Sequence, residues 1–350
     1  MKKIILILSL ATTNLCADLY SEQEISDFLN QQMGKSTPLI ENIVTSSSPA
    51  KTLKSWLLTE QDELIKEQQL FSLLDHMTTM PPSASLLPIL NQLSQYQAMA
   101  TKMHSEASHP SQATEAVFNI ASKAAGVQNI WLMKSSQRKA IQILTSSNDS
   151  STELLDLISA SKSRNATYLG IKNAILNVSD SSIETFKQQL QINKNHPLLH
   201  PIITDLALIT KDMAFTYWAI EQVNKQQAER IYRQVVINYP ASQSIEILTQ
   251  NIKSEANPAF IASLLSHHID RPAVSDFLIG QLENKSAVKG AAYALSKSQD
   301  PLVWKKMEQV HNNSNSKDIR KSIRFSFKQN KQADAQIILQ RLENNKGAKS

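Results

Sequence analysis

The clearest indication of the fold is given by residues 288–295, which read VKGAAYAL, and by Asp300-Pro301, which follow them. Gly290, Ala291 and Ala294 are small residues that recur on one side of a helix, so a second helix can approach closely. Aspartate followed by proline is a typical helix start, because proline lacks only an N–H that the first turn leaves unpaired. The stretch therefore predicts a tightly packed helix, a short turn and another helix.

The same organisation extends in both directions as a repeat. Gly290, Ala294 and Asp300 have counterparts in Gly170, Ala174 and Asp180, 120 residues earlier, or four periods of 30. The predicted helices of the second half are Ser242–Ser254, Pro258–His268, Ala273–Glu283, Ala287–Ser296, Pro301–Val310, Lys317–Lys328 and Ala333–Asn344. One helix pair cannot bury its apolar face, whereas stacked pairs share a core. We predict an all-α fold, an α-solenoid of antiparallel helix pairs with a period near 30 residues.

Residues 288–295 with Asp300-Pro301 resemble the second helix and turn of a short bacterial HEAT repeat, and Asp318-Ile319-Arg320 is similar to the opening of the next one. Lys289 stands where the family usually has arginine, and the Asp-Pro that normally precedes the helix is missing. The resemblance covers about residues 135–344. It implies an α-solenoid that binds proteins and occasionally assists an enzyme, with no particular reaction.

A weaker resemblance concerns the middle of the chain. Ala228, Tyr232 and residues 239–242 are similar to the end of a tetratricopeptide unit, although that family's Trp-x2-Leu-Gly-x2-Tyr opening is absent. Both families form helical solenoids, so the fold class is the same for either. The class of the middle repeats stays open.

The N-terminus resembles a bacterial secretory signal. Lys2 and Lys3 precede an apolar run at residues 4–11, which is too short to span a bilayer, and Ala17 supplies a cleavage point. Cleavage after Ala17 removes Cys16, the only cysteine, so the mature chain forms no disulfide. We expect a periplasmic or secreted protein. Its predicted segments are the signal peptide at 1–17, an irregular helical segment at 18–134, the repeat array at 135–344 and a disordered tail at 345–350.

The segment from 18 to 134 contains signals for separate helices. Ser21 and Glu24 form a capping box, and the double proline at 81–82 ends a helix predicted at Glu60–Met77. Further helices are predicted at Leu86–Tyr96 and Gln112–Ala125, the latter with a left-handed cap at Gly126. Only 6 of 350 residues are glycine, which argues against strands and their turns.

The helix predicted at Lys317–Lys328 carries the most localised charge. Ile319, Ile323 and Phe327 form an apolar stripe at i, i+4 and i+8. Between residues 305 and 331, eight basic and two acidic residues give a net charge of +6. The candidate partner-binding residues on this helix are Lys317, Arg320, Lys321, Arg324 and Lys328. Such a face could meet an acidic partner or an anionic surface, or could simply be solvated.

Nothing in the sequence selects a catalytic or metal site. His196 and His200 are four residues apart, but His196 precedes Pro197 as a cap and no carboxylate completes a metal motif. Hydrolase, phosphate-loop and dinucleotide fingerprints are absent. We therefore expect no enzyme activity, no metal and no cofactor.

These observations favour an exported helical-repeat scaffold that engages a protein or peptide partner in the cell envelope. Two alternatives stay open: a helical accessory region of a cell-wall-processing enzyme, and docking on an anionic surface through the helix at 317–328. No nucleic acid is expected, because a mature net charge of +3 is too small to indicate one. No membrane-spanning segment is expected either.

Overall fold

The computed structural model describes most of the chain, namely residues 17–32, 38–59, 62–103, 114–192, 196–253 and 257–344. Residues 1–16 of the predicted signal peptide, and the predicted tail at 345–350, lie outside the described residues. The chain forms two compact units. The first comprises Met1–Ile143 and Asp156–Ala174, and the second comprises Leu144–Leu155 and Ile175–Ser350. The predicted limit between residues 134 and 135 falls inside one helix, Ile120–Ser146.

Some of the first eight helices begin at capping residues that the sequence indicates. The predicted capping box is confirmed: Glu24 Oε2 accepts from Ser21 N at 2.8 Å, and Ser21 Oγ accepts from Glu24 N at 3.2 Å. Asp62 Oδ1 likewise accepts from Leu64 N at 2.9 Å and so starts α4. The helices are α1 Glu22–Gln32, α2 Pro38–Val44, α3 Pro49–Leu57, α4 Glu63–Thr79, α5 Leu87–Leu93, α6 Ile120–Ser146, α7 Ser150–Ser159 and α8 Arg164–Ile175.

The core of the first unit lies among α2 to α6. Leu70, Leu73 and Leu74 of α4 are fully buried there, together with Ile89 of α5 and Trp131 of α6. Burying one such large apolar side chain contributes about 1.5–3 kcal/mol. This packing allows α4 to run for 17 residues although its apolar residues are not confined to one narrow stripe.

The helix predicted at Gln112–Ala125 is confirmed only from Ile120 onward. Residues 114–116 form a strand instead, and α6 begins at Ile120 and continues through Gly126 to Ser146. Asn119 Oδ1 caps its first turn by accepting from Ser122 N at 3.0 Å. Glycine disfavours a helix interior by about 1 kcal/mol, but the burial of Val127 beyond it outweighs that penalty.

The expectation that strands would be absent is wrong, because the first unit contains a small sheet. Its strands are β1 Asp18–Leu19, β2 Ala100–Met103 and β3 Thr114–Ala116. β2 is central, parallel to β1 and antiparallel to β3, with Asp18 opposite Ala100 and Thr101 opposite Ala116. Strands of two to four residues are too short to show an alternating pattern, which is why the sequence does not indicate them.

The second unit is built from helices, and its predicted elements are confirmed to within a few residues. Pro258–His268 is helical as predicted, although its last four residues form a 3-10 turn. The helices are α9 Asp180–Ile192, α10 His200–Thr210, α11 Met213–Gln222, α12 Lys225–Asn238, α13 Ala241–Asn251, α14 Pro258–Leu264, α15 Pro272–Gln281, α16 Val288–Leu295, α17 Pro301–Asn313, α18 Lys317–Gln329 and α19 Ala333–Asn344.

Alternate helices of this unit contact one another. α10, α12, α14, α16 and α18 form one continuous series of contacts, and α15, α17 and α19 form another. Each helix of the first series also contacts members of the second or its chain neighbours. The approach of α14 to α16 is close, since a Cβ added at Gly290 would lie 1.7 Å from the carbonyl oxygen of Ala259. The small residues of 288–295 therefore do permit the predicted tight helix packing.

Candidate docking face on helix α18

Helix α18 presents one apolar side to the second unit and one charged side to solvent. Ser316 Oγ caps its first turn by accepting from Ile319 N at 3.4 Å. The predicted stripe of Ile319, Ile323 and Phe327 is buried, and α18 contacts α16, α17 and α19. Because this anchor fixes the rotation of the helix, its three lysines, Lys317, Lys321 and Lys328, are directed to solvent.

The five candidate cations differ in exposure. Lys317, Lys321 and Lys328 are exposed, whereas Arg320 and Arg324 are half-buried. Within the part of the chain that the structure describes, none of the five has an ion-pair partner within 4 Å. On nearby helices the pattern differs: Lys306 Nζ lies 2.5 Å from Asp276 Oδ1, and Arg341 Nη2 lies 3.1 Å from Glu308 Oε2. The charge of α18 is thus uncompensated.

One of the arginines is held in place by a buried histidine. Arg324 Nη1 donates to His311 Nε2 at 3.3 Å, and His311 Nδ1 lies 3.2 Å from Asn312 Oδ1. Burial of His311 lowers the pKa of its imidazole, and the guanidinium groups of Arg324 and Arg320 lower it further. The neutral ring accepts from Arg324 through Nε2 and donates to Asn312 through Nδ1, which fixes one end of the cationic face.

The neighbouring helix α16 and the turn after it add further exposed residues that the sequence did not single out. Lys289 and Tyr293 lie four residues apart on α16, Lys297 lies in the turn beyond its end at Leu295, and all three are exposed. The Lys297 ammonium lies 5.2 Å from the centroid of the Tyr293 ring. Exposed Phe325 places an aromatic ring on α18 itself. The signal for Lys289 and Tyr293 was present in the sequence, as a four-residue spacing on a helix whose other side includes small residues.

The predicted cap at His196 is confirmed, and three further histidines divide between buried and exposed positions. His196 Nδ1 accepts from Leu198 N at 3.2 Å, and His200 Nδ1 accepts from Asn224 N at 3.1 Å. His268 is buried against the Ser244 hydroxyl at 3.0 Å, while His267 is exposed. Among the described residues, no group of three histidine, cysteine or carboxylate side chains is placed to hold a metal ion. The rings of His196, His200 and His268 are therefore occupied by structural hydrogen bonds.

Comparisons with protein-family models, curated proteins and solved structures give no match for this chain. Across the described ranges, no helix is both long enough and apolar enough to cross a membrane. What the chain binds therefore has to be inferred from the side chains that it exposes.

Proposed function

We propose that this protein is an exported helical-repeat binding scaffold that engages an acidic protein or peptide segment in the cell envelope through α18. The observation that carries the proposal is the set of five cations on α18, none of which forms an ion pair within the described part of the chain. Like charges three and four residues apart repel one another and destabilise the helix slightly. An acidic partner relieves that repulsion, so its binding is favoured.

The contact pattern supports a solenoid of antiparallel helix pairs as the scaffold. Helices α14, α16 and α18 begin at residues 258, 288 and 317, and α15 and α17 begin at 272 and 301. These starts recur at intervals near the 30 residues expected from sequence, and alternate helices are in contact. The resemblance to HEAT repeats implies the same use, since stacked helix pairs offer one extended surface to a protein partner.

The composition of the face favours a polypeptide over a lipid surface. Arg320 and Arg324 are half-buried, and Arg324 is fixed by His311, so their planar guanidinium groups suit bidentate contacts to carboxylates. Phe325 is the only large apolar side chain that α18 exposes along its described length. Helices that lie in the plane of the membrane interface bury a broad apolar face in the lipid. The apolar face of α18 is instead buried against other helices of the second unit.

The same proposal places the protein in the periplasm or outside the cell, after cleavage behind Ala17, with no cofactor and no reaction of its own. The competing proposal is an accessory region of a cell-wall-processing enzyme. The two are distinguished by incubating the purified mature chain, which begins at Asp18, with peptidoglycan. Release of soluble fragments would favour the enzyme and contradict the scaffold.

The binding proposal is tested with a fluorescein-labelled oligoglutamate peptide, whose anisotropy reports the Kd. We compare the mature chain with the variant Lys317→Gln/Lys321→Gln/Lys328→Gln. Three exposed charge contacts of about 0.5 kcal/mol each predict about a tenfold weaker Kd for the variant. The matched control, Lys225→Gln/Lys253→Gln/Lys285→Gln, changes the net charge equally at exposed positions outside α18 and should bind like the wild type.

Two results would count against the proposal. Equal loss in both variants would show that net charge alone drives binding, and no loss in the α18 variant would place the binding site elsewhere. Binding to an anionic lipid surface is tested by sedimentation with phosphatidylglycerol vesicles. If the wild type sedimented with the vesicles but did not bind the peptide, the partner of α18 would be an anionic surface and not an acidic polypeptide.

A further inference from the structure

The first unit contains a cleft that the proposed function does not use. It has a volume of about 750 Å³ and is lined by the chain around α5, by the middle of α6 and by residues near the start of α8. Small-molecule sites typically measure about 300–1,000 Å³. The cleft therefore has the size of a binding site for a medium-sized organic molecule.

One part of the cleft wall is apolar. Leu87, Leu132 and Leu157 line it, together with Trp131. The indole Nε1 of Trp131 donates to the carbonyl oxygen of Met77 at 2.8 Å, so its hydrogen-bonding capacity is already used. Trp131 therefore presents the carbon atoms of its ring to the cleft, and these suit a hydrocarbon group.

Another part of the wall is polar and positively charged. Lys139 and Lys162 line the cleft, both are exposed, and neither has an ion-pair partner among the described residues. The Thr167 hydroxyl contributes nearby, 2.6 Å from Ser161 Oγ. The residues that line the cleft include no aspartate or glutamate. A ligand with one negative charge thus meets two cations and no opposing carboxylate.

The walls of the cleft are held in fixed positions. Helix α8 approaches α6 so closely that a Cβ added at Gly170 would lie 2.5 Å from the carbonyl oxygen of Met133. Lys134 Nζ donates to the carbonyl oxygens of Thr78 and Met80 at 2.9 and 3.0 Å, and this ties α6 to the end of α4. A cleft that exists before the ligand arrives binds it with less loss of conformational entropy.

We propose that this cleft binds an amphiphile with a single anionic head group, such as a long-chain carboxylate. Its hydrocarbon part packs against Leu87, Leu132 and the Trp131 ring, and its head group lies near Lys139 and Lys162. All residues that line the cleft belong to the first unit, whereas α18 belongs to the second.

The test uses 1-anilinonaphthalene-8-sulfonate as a fluorescent probe, since it joins an aromatic body to one anionic group. Dodecanoate is then added as the competitor. We expect the mature chain to bind one probe per molecule and dodecanoate to displace it. The variant Lys139→Gln/Lys162→Gln should bind the probe about tenfold more weakly, and Ala160→Trp, at an exposed position lining the cleft, should reduce binding by obstruction.

The controls separate this site from non-specific binding and from α18. Lys51→Gln/Lys54→Gln removes two exposed charges elsewhere in the first unit, and Lys317→Gln/Lys321→Gln/Lys328→Gln removes the α18 lysines; both should bind like the wild type. Equal displacement by dodecyltrimethylammonium would overturn the role of the two lysines. Unchanged binding in the Lys139/Lys162 and Ala160 variants would overturn the site itself. Melting curves by circular dichroism check that every variant is folded.

Discussion

At the scale of single residues, buried polar groups fix backbone segments that the apolar core does not reach. Glu67 is fully buried in α4, and its Oε1 accepts from Met99 N at 2.6 Å and from Ala100 N at 3.2 Å. These bonds hold the start of β2 against α4. Burial raises the pKa of the Glu67 carboxyl above 4.5, although the two backbone N–H groups act in the opposite direction.

Substitutions at Glu67 should separate its hydrogen bonds from its charge. Glu67→Ala leaves two buried N–H groups unpaired, so we expect a loss of about 1–3 kcal/mol in the free energy of unfolding. Glu67→Gln retains an accepting oxygen and should be milder. A raised pKa in the folded state means that this carboxyl stabilises the fold below pH 4.5 and that the contribution is lost as the pH rises through the folded-state pKa. Urea titrations over that range should therefore show a smaller loss with rising pH for Glu67→Gln.

The buried histidines predict the opposite pH dependence. Burial is the largest cause of the lowered pKa values of His200, His268 and His311. Above 6.5 these rings are neutral in both the folded and unfolded states. As the pH falls below 6.5 the unfolded chain binds protons first, so stability decreases towards the lower folded-state pKa. His311→Gln keeps an acceptor for Arg324, and its urea midpoint should fall less than that of the wild type between about pH 7 and pH 5.5. Parallel curves would contradict this account of His311.

Local signals in the sequence were sufficient for some residue roles and not for others. The capping box at Ser21 and Glu24 and the cap at His196 were predictable, because each partner lies within three residues. Glu67 was not, because its partners lie more than 30 residues away, in a strand too short to be recognised. Similarly, the hydrogen bond between Arg324 and His311 was not predictable from the sequence, because it depends on how α17 and α18 pack.

At the scale of the helix, the close packing of α14 against α16 depends on one glycine, Gly290. Gly290→Ala would place a methyl group 1.7 Å from the Ala259 carbonyl oxygen and force α14 and α16 apart. We expect a loss of about 1–3 kcal/mol, the usual range for overpacking. At Gly280 of α15 a new Cβ meets nothing within 4 Å, so Gly280→Ala should instead stabilise by up to about 1 kcal/mol. Chemical denaturation of both variants checks the contrast, and similar effects at the two sites would contradict the packing.

Helix boundaries in the second unit were predictable because caps and proline signals coincide with the apolar period. Asp300 is an example: its Oδ1 accepts from Leu302 N at 2.8 Å, and Pro301 follows as the first residue of α17. In the first unit, Gly126 suggested a helix end where α6 continues, because core burial on both sides of the glycine outweighs its local preference. The helix continues past Gly126 because of tertiary packing, which local sequence signals do not indicate.

At the scale of the whole molecule, charge is distributed unevenly along the chain. The net charge is +5, yet residues 305–331 alone carry +6, so the remainder is close to neutral. The predominantly helical class and the helices of the second unit followed from composition and periodicity. The cleft of the first unit did not, because its lining combines residues from three separate segments between 82 and 167 that only the fold brings together.

The uneven charge should appear as salt dependence of binding. Exposed charges separated by more than about 8 Å are largely screened at physiological ionic strength. We expect the Kd for the oligoglutamate peptide to weaken steadily with added sodium chloride for the wild type. The dependence should be shallower for Lys317→Gln/Lys321→Gln/Lys328→Gln, since fewer ionic contacts remain. Equal dependence in both proteins would argue against α18 as the source of the attraction.

The most direct test of the central claim is a lysine footprint of the mature chain, with and without the oligoglutamate peptide. Brief acetylation followed by mass spectrometry measures how fast each exposed lysine reacts. The account predicts that the peptide slows acetylation of Lys317, Lys321 and Lys328, while Lys225, Lys253 and Lys285 react as before. Bound peptide with no protection on α18, or with equal protection of both sets, would contradict the assignment of the docking face.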